Sequence, residues 1–284
     1  MAGTLFVVAT PLGNMEDVTL RALRVLREVD AIAAEDTRRT ARLLSHYTIP
    51  TPTISFHEHN VRARLPQLLS RLQAGNNIAV VTDAGTPGVS DPGIELVDAC
   101  VKAHIAVDAI PGPSAPLTAA MASGFPIIPL TILGFPPRRS KARKSWFTEI
   151  LAISHTVSFF ESPHRIAMTL ADAGDILGDR PIALGRELTK RHQEIIRGTA
   201  SEVRTQIGQP KGEITVIIGP ENKPDSAHDQ FSGATAVAMA VERFGQLTNT
   251  GHSRRAAMTE AAKAFDLPAR LVYAAVEAAK KSGQ

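Results

Sequence analysis

The stretch IAVVTDAGTPGVSDPG, residues 78–93, runs from an apolar segment straight into a loop rich in glycine and proline. Ile78–Thr82 reads as a short buried strand bounded by turn residues. The loop that follows, Asp83–Gly93, holds three glycines, two prolines, two aspartates and a serine. Glycines allow positive φ and let the backbone approach a ligand closely. Prolines stiffen the loop, so less ordering is needed on binding. The aspartates suit a cation or ribose hydroxyls. Ile94–Ala103 then reads as a helix and Ile105–Ile110 as the next strand.

The same unit recurs upstream. Leu5–Ala9 is a strand that ends in the turn Thr10–Asn14, and Thr19–Val29 is an amphipathic helix capped near Asp17 or Thr19. Ala31–Ala34 is a strand running into the charged cluster Glu35–Arg39. Thr53–Phe56 and Val61–Leu72 read as strand and helix. Alternation at these spacings predicts an α/β fold with a largely parallel sheet. Downstream, Pro111–Ser114 turns the strand Ile105–Ile110 into a helix starting near Ala115, with Ser114 at the N-cap position.

Between Gly124 and Pro129 the pattern loosens, which places a domain junction there. A first α/β domain over residues 1–123 and a second over 124–221 are expected. In the second, Leu130–Phe135, Thr156–Phe160, Ile182–Gly185, Glu194–Arg197 and Ile214–Ile218 are strand-like, and Arg165–Leu177 is helical. The last two strands, with turn residues between them, suit antiparallel partners in a mixed sheet. Glu221–Asp229 reads as a linker. Helical stretches follow at Ala234–Phe244, Arg254–Phe265 and Ala269–Lys280, forming a C-terminal helical domain over 232–284. Arg254–Glu277 resembles a helix-turn-helix with Leu267-Pro268 as its turn.

Composition narrows the functional classes. Of 284 residues, 44% are hydrophobic and 21% charged, as in ordinary globular proteins. A net charge of +3 permits an anionic partner without requiring one. Cys100 is the only cysteine, which excludes an internal disulfide or a cysteine zinc cluster and suits a buried thiol. No basic segment precedes the apolar run at Leu5, and no run nears the ~18 apolar residues of a membrane helix, so cytoplasmic residence without a membrane partner is expected. The chain has no GxGxxG after its first strand, no GxxxxGK[ST] and no HExxH. A dinucleotide site, a P-loop and a metal centre are therefore not expected.

Ligands of open α/β sheets collect at loops leaving the carboxyl ends of strands. Four loops there carry unusual chemistry: Thr10–Asn14, Glu35–Thr40, Asp83–Gly93 and Ile110–Ala115. With their flanks they read ATPLGN, EDTRRT, DAGTPGVSDPG and IPGPSA, and the second half adds FFESPHR (159–165), RELTKRHQE (186–194) and GEITVIIG (212–219). In this order the seven motifs resemble the tetrapyrrole methylase superfamily, from about Leu5 to Gly219. EDTRRT with FFESPHR is similar to the branch that methylates RNA rather than porphyrin-like rings. Ala9 departs from the glycine or proline that often opens the family's first motif.

The resemblance implies two α/β domains with S-adenosylmethionine between them, and a homodimer. It implies 2′-O-methylation of a cytidine in the decoding region of small-subunit ribosomal RNA, with that RNA or the assembled small subunit as partner. It assigns the donor pocket to Pro11, Asp83, Ala84, Gly85, Val89, Ser114, Ala115, Phe160, Gly212, Glu213, Ile214 and Thr215. A ribose hydroxyl is a weak nucleophile and gains from a general base. Among Glu35, Asp36, Glu161, Glu187 and Lys190, the catalytic candidates carried forward are Lys190, Glu187 and Asp36. Phosphates call for cations. The basic segment PPRRSKARK supplies Arg138, Arg139, Lys141, Arg143 and Lys144, and Arg38, Arg39, Arg42, Arg165 and Arg186 add charge near the cleft. Two alternatives stay open: a porphyrin-ring methyltransferase of the same fold, and a non-catalytic RNA-binding assembly factor.

Overall fold

The computed structural model describes residues 2–88, 91, 93–208, 210–221, 233–265 and 267–282. Val89 and the linker segment after Glu221 lie outside the described residues. Met1–Glu221 form one compact unit and Asn222–Gln284 a second.

The first sheet consists of β1 (Thr4–Val8), β2 (Ala31–Ala34), β3 (Thr53–Ser55), β4 (Ile78–Val81) and β5 (Ala106–Ile110). Its order is β3-β2-β4-β1-β5, and every pairing is parallel. β4 is buried at all four positions, because helices cover both faces. Its alternation splits the core. Ala79 and Val81 pack with α1 (Leu20–Glu28) and α2 (Thr37–His46), while Ile78 and Val80 pack with α3 (Val61–Gln73) and α4 (Gly93–Lys102). Cys100 is buried in the second of these layers, and burial pushes its thiol up to about 11.

β1 sends the chain across the sheet to β2, and β4 sends it the other way to β5. The carboxyl ends of these neighbouring strands, β1 and β4, are therefore the switch point where a ligand crevice opens. Thr10 and Gly85, from the two loops that leave these ends, exchange backbone hydrogen bonds of 2.9 Å each way. Gly85 has φ +82°, which an L side chain rarely adopts.

The second sheet is mixed, as expected: β6 (Leu130–Leu133), β7 (Thr156–Glu161), β8 (Ile182–Arg186), β9 (Glu194–Gly198) and β10 (Ile214–Ile218) run in the order β6-β7-β10-β8-β9. The expectation that β9 and β10 pair is corrected, because β8 lies between them and is antiparallel to both. On one face Phe147 and Ile150 of α6 (Ser140–Leu151), Leu170 of α7 (Ile166–Leu177) and Val203 of α8 (Ala200–Gln206) cover Phe159, Leu184 and Val216. On the other, Ala119 and Ala120 of α5 (Ala115–Ser123) join Ala183 and Ile217, together with Leu12 and Ala84 from the first half.

Two charged segments prove helical. EDTRRT is the start of α2, with Asp36 as N-cap accepting from the Arg38 amide at 2.8 Å. The basic run from Ser140 opens α6. Ser114 does occupy the N-cap of α5, but its hydroxyl makes no capping bond. In the second unit α9 (Gly233–Asn249), α10 (Arg254–Ala264) and α11 (Ala269–Ser282) share a core of Ala240, Phe244, Ala257, Ala261, Val272 and Val276. Among the described residues no helix is long and apolar enough to cross a membrane.

Candidate active site

Three hollows meet above the switch point, and Asp83 lines all of them. The middle one, about 360 Å³, lies between the two sheets. Asp83, Ala84, Gly85, Ser114, Ala115, Phe160, Gly212, Glu213, Ile214 and Thr215 of the expected set all line it. Pro11 does not; it lines the adjoining hollow of about 300 Å³.

Sequence reasoning missed Leu12, Thr82, Thr86, Pro116, Phe135, Ser162 and Pro163 in the middle wall. Leu12, Thr86, Ser162 and Pro163 lie inside quoted motifs and Thr82 and Pro116 one residue beyond, so taking each motif whole with its flank would have found them. Phe135 carried no such signal. It arrives because its ring packs 5.5 Å from that of Phe160.

The wall is stiffly held. Thr86 Oγ1 donates to the Pro113 carbonyl at 3.0 Å, tying the Asp83–Gly93 loop to the next one. Glu161, fully buried at its side chain, accepts from Ser162 N and Thr169 Oγ1 at 2.7 Å each and pairs with Arg165 at 3.2 Å. Arg165 in turn donates to the carbonyls of Pro136 and Pro137 at 2.7 and 3.3 Å, fixing the loop that presents Phe135.

Arg165 is thus a correction, because its charge is spent inside the wall rather than offered to RNA. Arg143 is a second. It is buried against Asp172 at 2.6 Å and donates to the Arg138 carbonyl at 3.1 Å, so it meets no phosphate. Lys144 pairs with Asp175 at 2.7 Å, and Arg186 with Glu194 at 2.5 Å. Arg138, Arg139 and Lys141 remain exposed.

Polar groups cluster where the hollows join. Glu35 Oε2 accepts from Thr82 Oγ1 at 2.7 Å and from Asp83 N at 3.1 Å. Burial, reinforced by the Glu35 carboxylate, raises the Asp83 pKa against the pull of Arg39, 3.4 Å away. The Arg38 guanidinium, hydrogen-bonded to Asp36 at 2.8 Å, holds that carboxyl far below the usual range. Asp36 is therefore committed as cap and ion-pair partner.

Lys190 lines the 300 Å³ hollow, with its Nζ 2.9 Å from Glu187 Oε1 and 3.8 Å from Glu213. Burial would raise Glu187, but the hydrogen bonds from Lys190 and the Glu213 amide outweigh it and hold the carboxyl below its ordinary value. Glu187 and Thr189 have φ of +49° and +68°. Non-glycine residues in this region store strain, which gathers at functional sites. Arg39 and Arg42 of α2 line the same hollow. The third hollow, about 760 Å³, is walled by Glu35, Asp36, Glu58, Asp83, Asp91 and Glu95 with His57, His59 and Arg38. Among the described residues no group of His, Cys, Asp and Glu is arranged to hold a metal.

Residues 4–204 match the family of tetrapyrrole (corrin/porphyrin) methylases. The chain is 41% identical to Ribosomal RNA small subunit methyltransferase I of Halalkalibacterium halodurans over 95% of its own length and 93% of that protein's. With the protein of the same name from Bacillus subtilis the figures are 40%, 95% and 93%. The protein of that name from Thermotoga maritima is 46% identical, with 98% of it covered by only 76% of this chain. Among solved structures, cobalt precorrin-4 methyltransferase superposes with a TM-score of 0.56 at 16% identity, over 76% of this chain and 94% of that one. Uroporphyrin-III-C-methyltransferase of Thermus thermophilus gives 0.54 at 19%, over 76% and 94%. By the family match and these relatives, the chain belongs to the tetrapyrrole methylase family.

Proposed function

We propose that this protein transfers the methyl group of S-adenosylmethionine to small-subunit ribosomal RNA, at the 2′-hydroxyl of a cytidine in the decoding region. The observation that carries the reading is the junction of the middle hollow, which suits the donor, with a hollow lined by Arg39, Arg42 and Lys190. The middle hollow fits the donor's mixed chemistry. Leu12, Ala84, Ala115, Phe160 and Ile214 offer apolar contact for a nucleoside, while the Glu35 and Asp83 carboxylates suit ribose hydroxyls and positive charge. At Gly85 the φ of +82° strains any side chain, and a Cβ would press to 3.1 Å on Leu12, so the turn favours glycine.

When bound, S-adenosylmethionine supplies a methyl group already activated on a sulfonium. The protein's share is alignment, which alone lowers a barrier by roughly 7–11 kcal/mol, and removal of the hydroxyl proton. Glu187, held anionic by its hydrogen bonds, anchors Lys190 Nζ at 2.9 Å. In its neutral form, Lys190 Nζ accepts the hydroxyl proton.

The names of the relatives support ribosomal RNA as acceptor over a porphyrin. Division at residue 124 into two α/β domains, with a helical domain from 232, belongs to the same proposal, as do the homodimer and cytoplasmic residence. The test is incubation with tritiated donor and small ribosomal subunits, naked ribosomal RNA or a porphyrin precursor. Label in subunits or RNA is expected. Label in the porphyrin alone overturns the reading.

A further inference from the structure

The donor hollow has a neighbour on each side, and α2 divides them. Arg38 faces the 760 Å³ hollow, and Asp36 takes up its charge in a two-point ion pair at 3.1 and 2.8 Å. A phosphate placed there would meet carboxylates from Glu35, Glu58, Asp91 and Glu95, and the one arginine among the described lining residues is already paired. Arg39 faces the other way. Arg42, one turn further along the helix, shares its face and lines the same 300 Å³ hollow. Arg42 is exposed and pairs with no carboxylate among the described residues. Arg39 is held only loosely, 3.4 Å from Asp83 and 3.8 Å from Glu213. Lys190 lies in this hollow and not in the acid-lined one.

We propose that the cation-lined hollow is the acceptor subsite. It takes one ribonucleotide of the substrate strand, with Arg39 and Arg42 on its phosphate and its ribose hydroxyl beside Lys190. The acid-lined hollow lies off the strand's path. Arg42, quoted in none of the family motifs, is the phosphate contact, and Arg38 inside EDTRRT is not. This assignment rests on the reading of the protein as an RNA methyltransferase. Glu213 completes the subsite, since it bridges Arg39 and Lys190 at 3.8 Å from each and is displaced from them when a phosphate arrives.

The test uses the full chain with unmodified small ribosomal subunits as probe. Affinity is measured at several salt concentrations for wild type, Arg42→Gln and Arg38→Gln, with donor affinity read by calorimetry. Arg42→Gln is expected to weaken subunit binding by about tenfold and to lower the slope of log K against log salt by about 0.7–1, the share of one phosphate contact. Its donor affinity should match wild type, and the Arg38→Gln loss should be several-fold smaller. Wild-type slope and affinity in Arg42→Gln, or a larger loss in Arg38→Gln, overturn the subsite while leaving the RNA reading intact. A wild-type protein that neither binds nor labels subunits overturns both.

Discussion

At the scale of single residues, the pair Glu187–Lys190 is shaped by two glycines. A Cβ on Gly13 would come within 2.4 Å of the Lys190 stem, and one on Gly212, at φ +81°, within 1.7 Å of Glu187 Oε1. Lys190→Ala should reduce the single-turnover rate with donor and RNA saturating by about 10²–10⁴-fold, the range of a lost general base. Glu187→Gln should cost less, since it removes only the anchor. Gly13→Ala, which touches no reacting atom, should lower the same rate by displacing Lys190 while donor affinity holds. Full rates in Lys190→Ala and Glu187→Gln would dismiss the pair from the mechanism. The wall of the middle hollow was legible at this scale because glycine, proline and aspartate crowd its loops beyond what a turn needs. The buried arginines were not. Nothing local distinguishes Arg143 from Arg139, and its partner Asp172 comes from another helix.

At the scale of elements, helix phase decides what a charged run does. α6 begins at Ser140, so Arg143 falls one turn in and points at the core, while Lys141 stays outside. Removing one member of a buried ion pair strands the other. Arg143→Ala should therefore destabilise the protein by about 3–5 kcal/mol, read as a lower midpoint in urea. Arg143→Met with Asp172→Leu should recover most of that loss. No recovery would mean that the pair's bonds to Ser140 and the loop carbonyls matter more than its charge. The parallel sheet could be read from its short apolar runs, because strands buried on both faces need nothing else. The pairing of β9 could not, since β8 and β10 compete for it and long-range register leaves no mark in a five-residue segment. EDTRRT was seen as a motif but not as a helix start, although Asp followed by Leu43 and Leu44 at helical spacing already held the signal.

At the scale of the whole molecule, the chain divides at Glu221 into two compact units. The Thermotoga maritima relative is covered almost end to end by 76% of this chain, and the 63 residues after Glu221 form a compact unit of their own. Those residues carry their own helical core. A protein ending at Glu221 should bind S-adenosylmethionine as tightly as the full chain and bind small subunits more weakly, by calorimetry for the first and filter retention for the second. Loss of donor affinity in a folded truncation would contradict this division. The three C-terminal helices were legible from spacing and turn residues.

Asp83 is a wall common to three hollows, so ligands in neighbouring hollows share one carboxylate. Its carboxylate accepts from the Asp36 amide, faces Arg39 and borders the middle hollow, where the donor is proposed to lie. A cation arriving on the donor side competes with Arg39 for the same charge and leaves that arginine freer for a phosphate. Whatever factor one ligand contributes to the affinity of the other is returned in full, since linkage is reciprocal. Two ligands then tune each other's affinity through one shared negative charge, whichever arrives first.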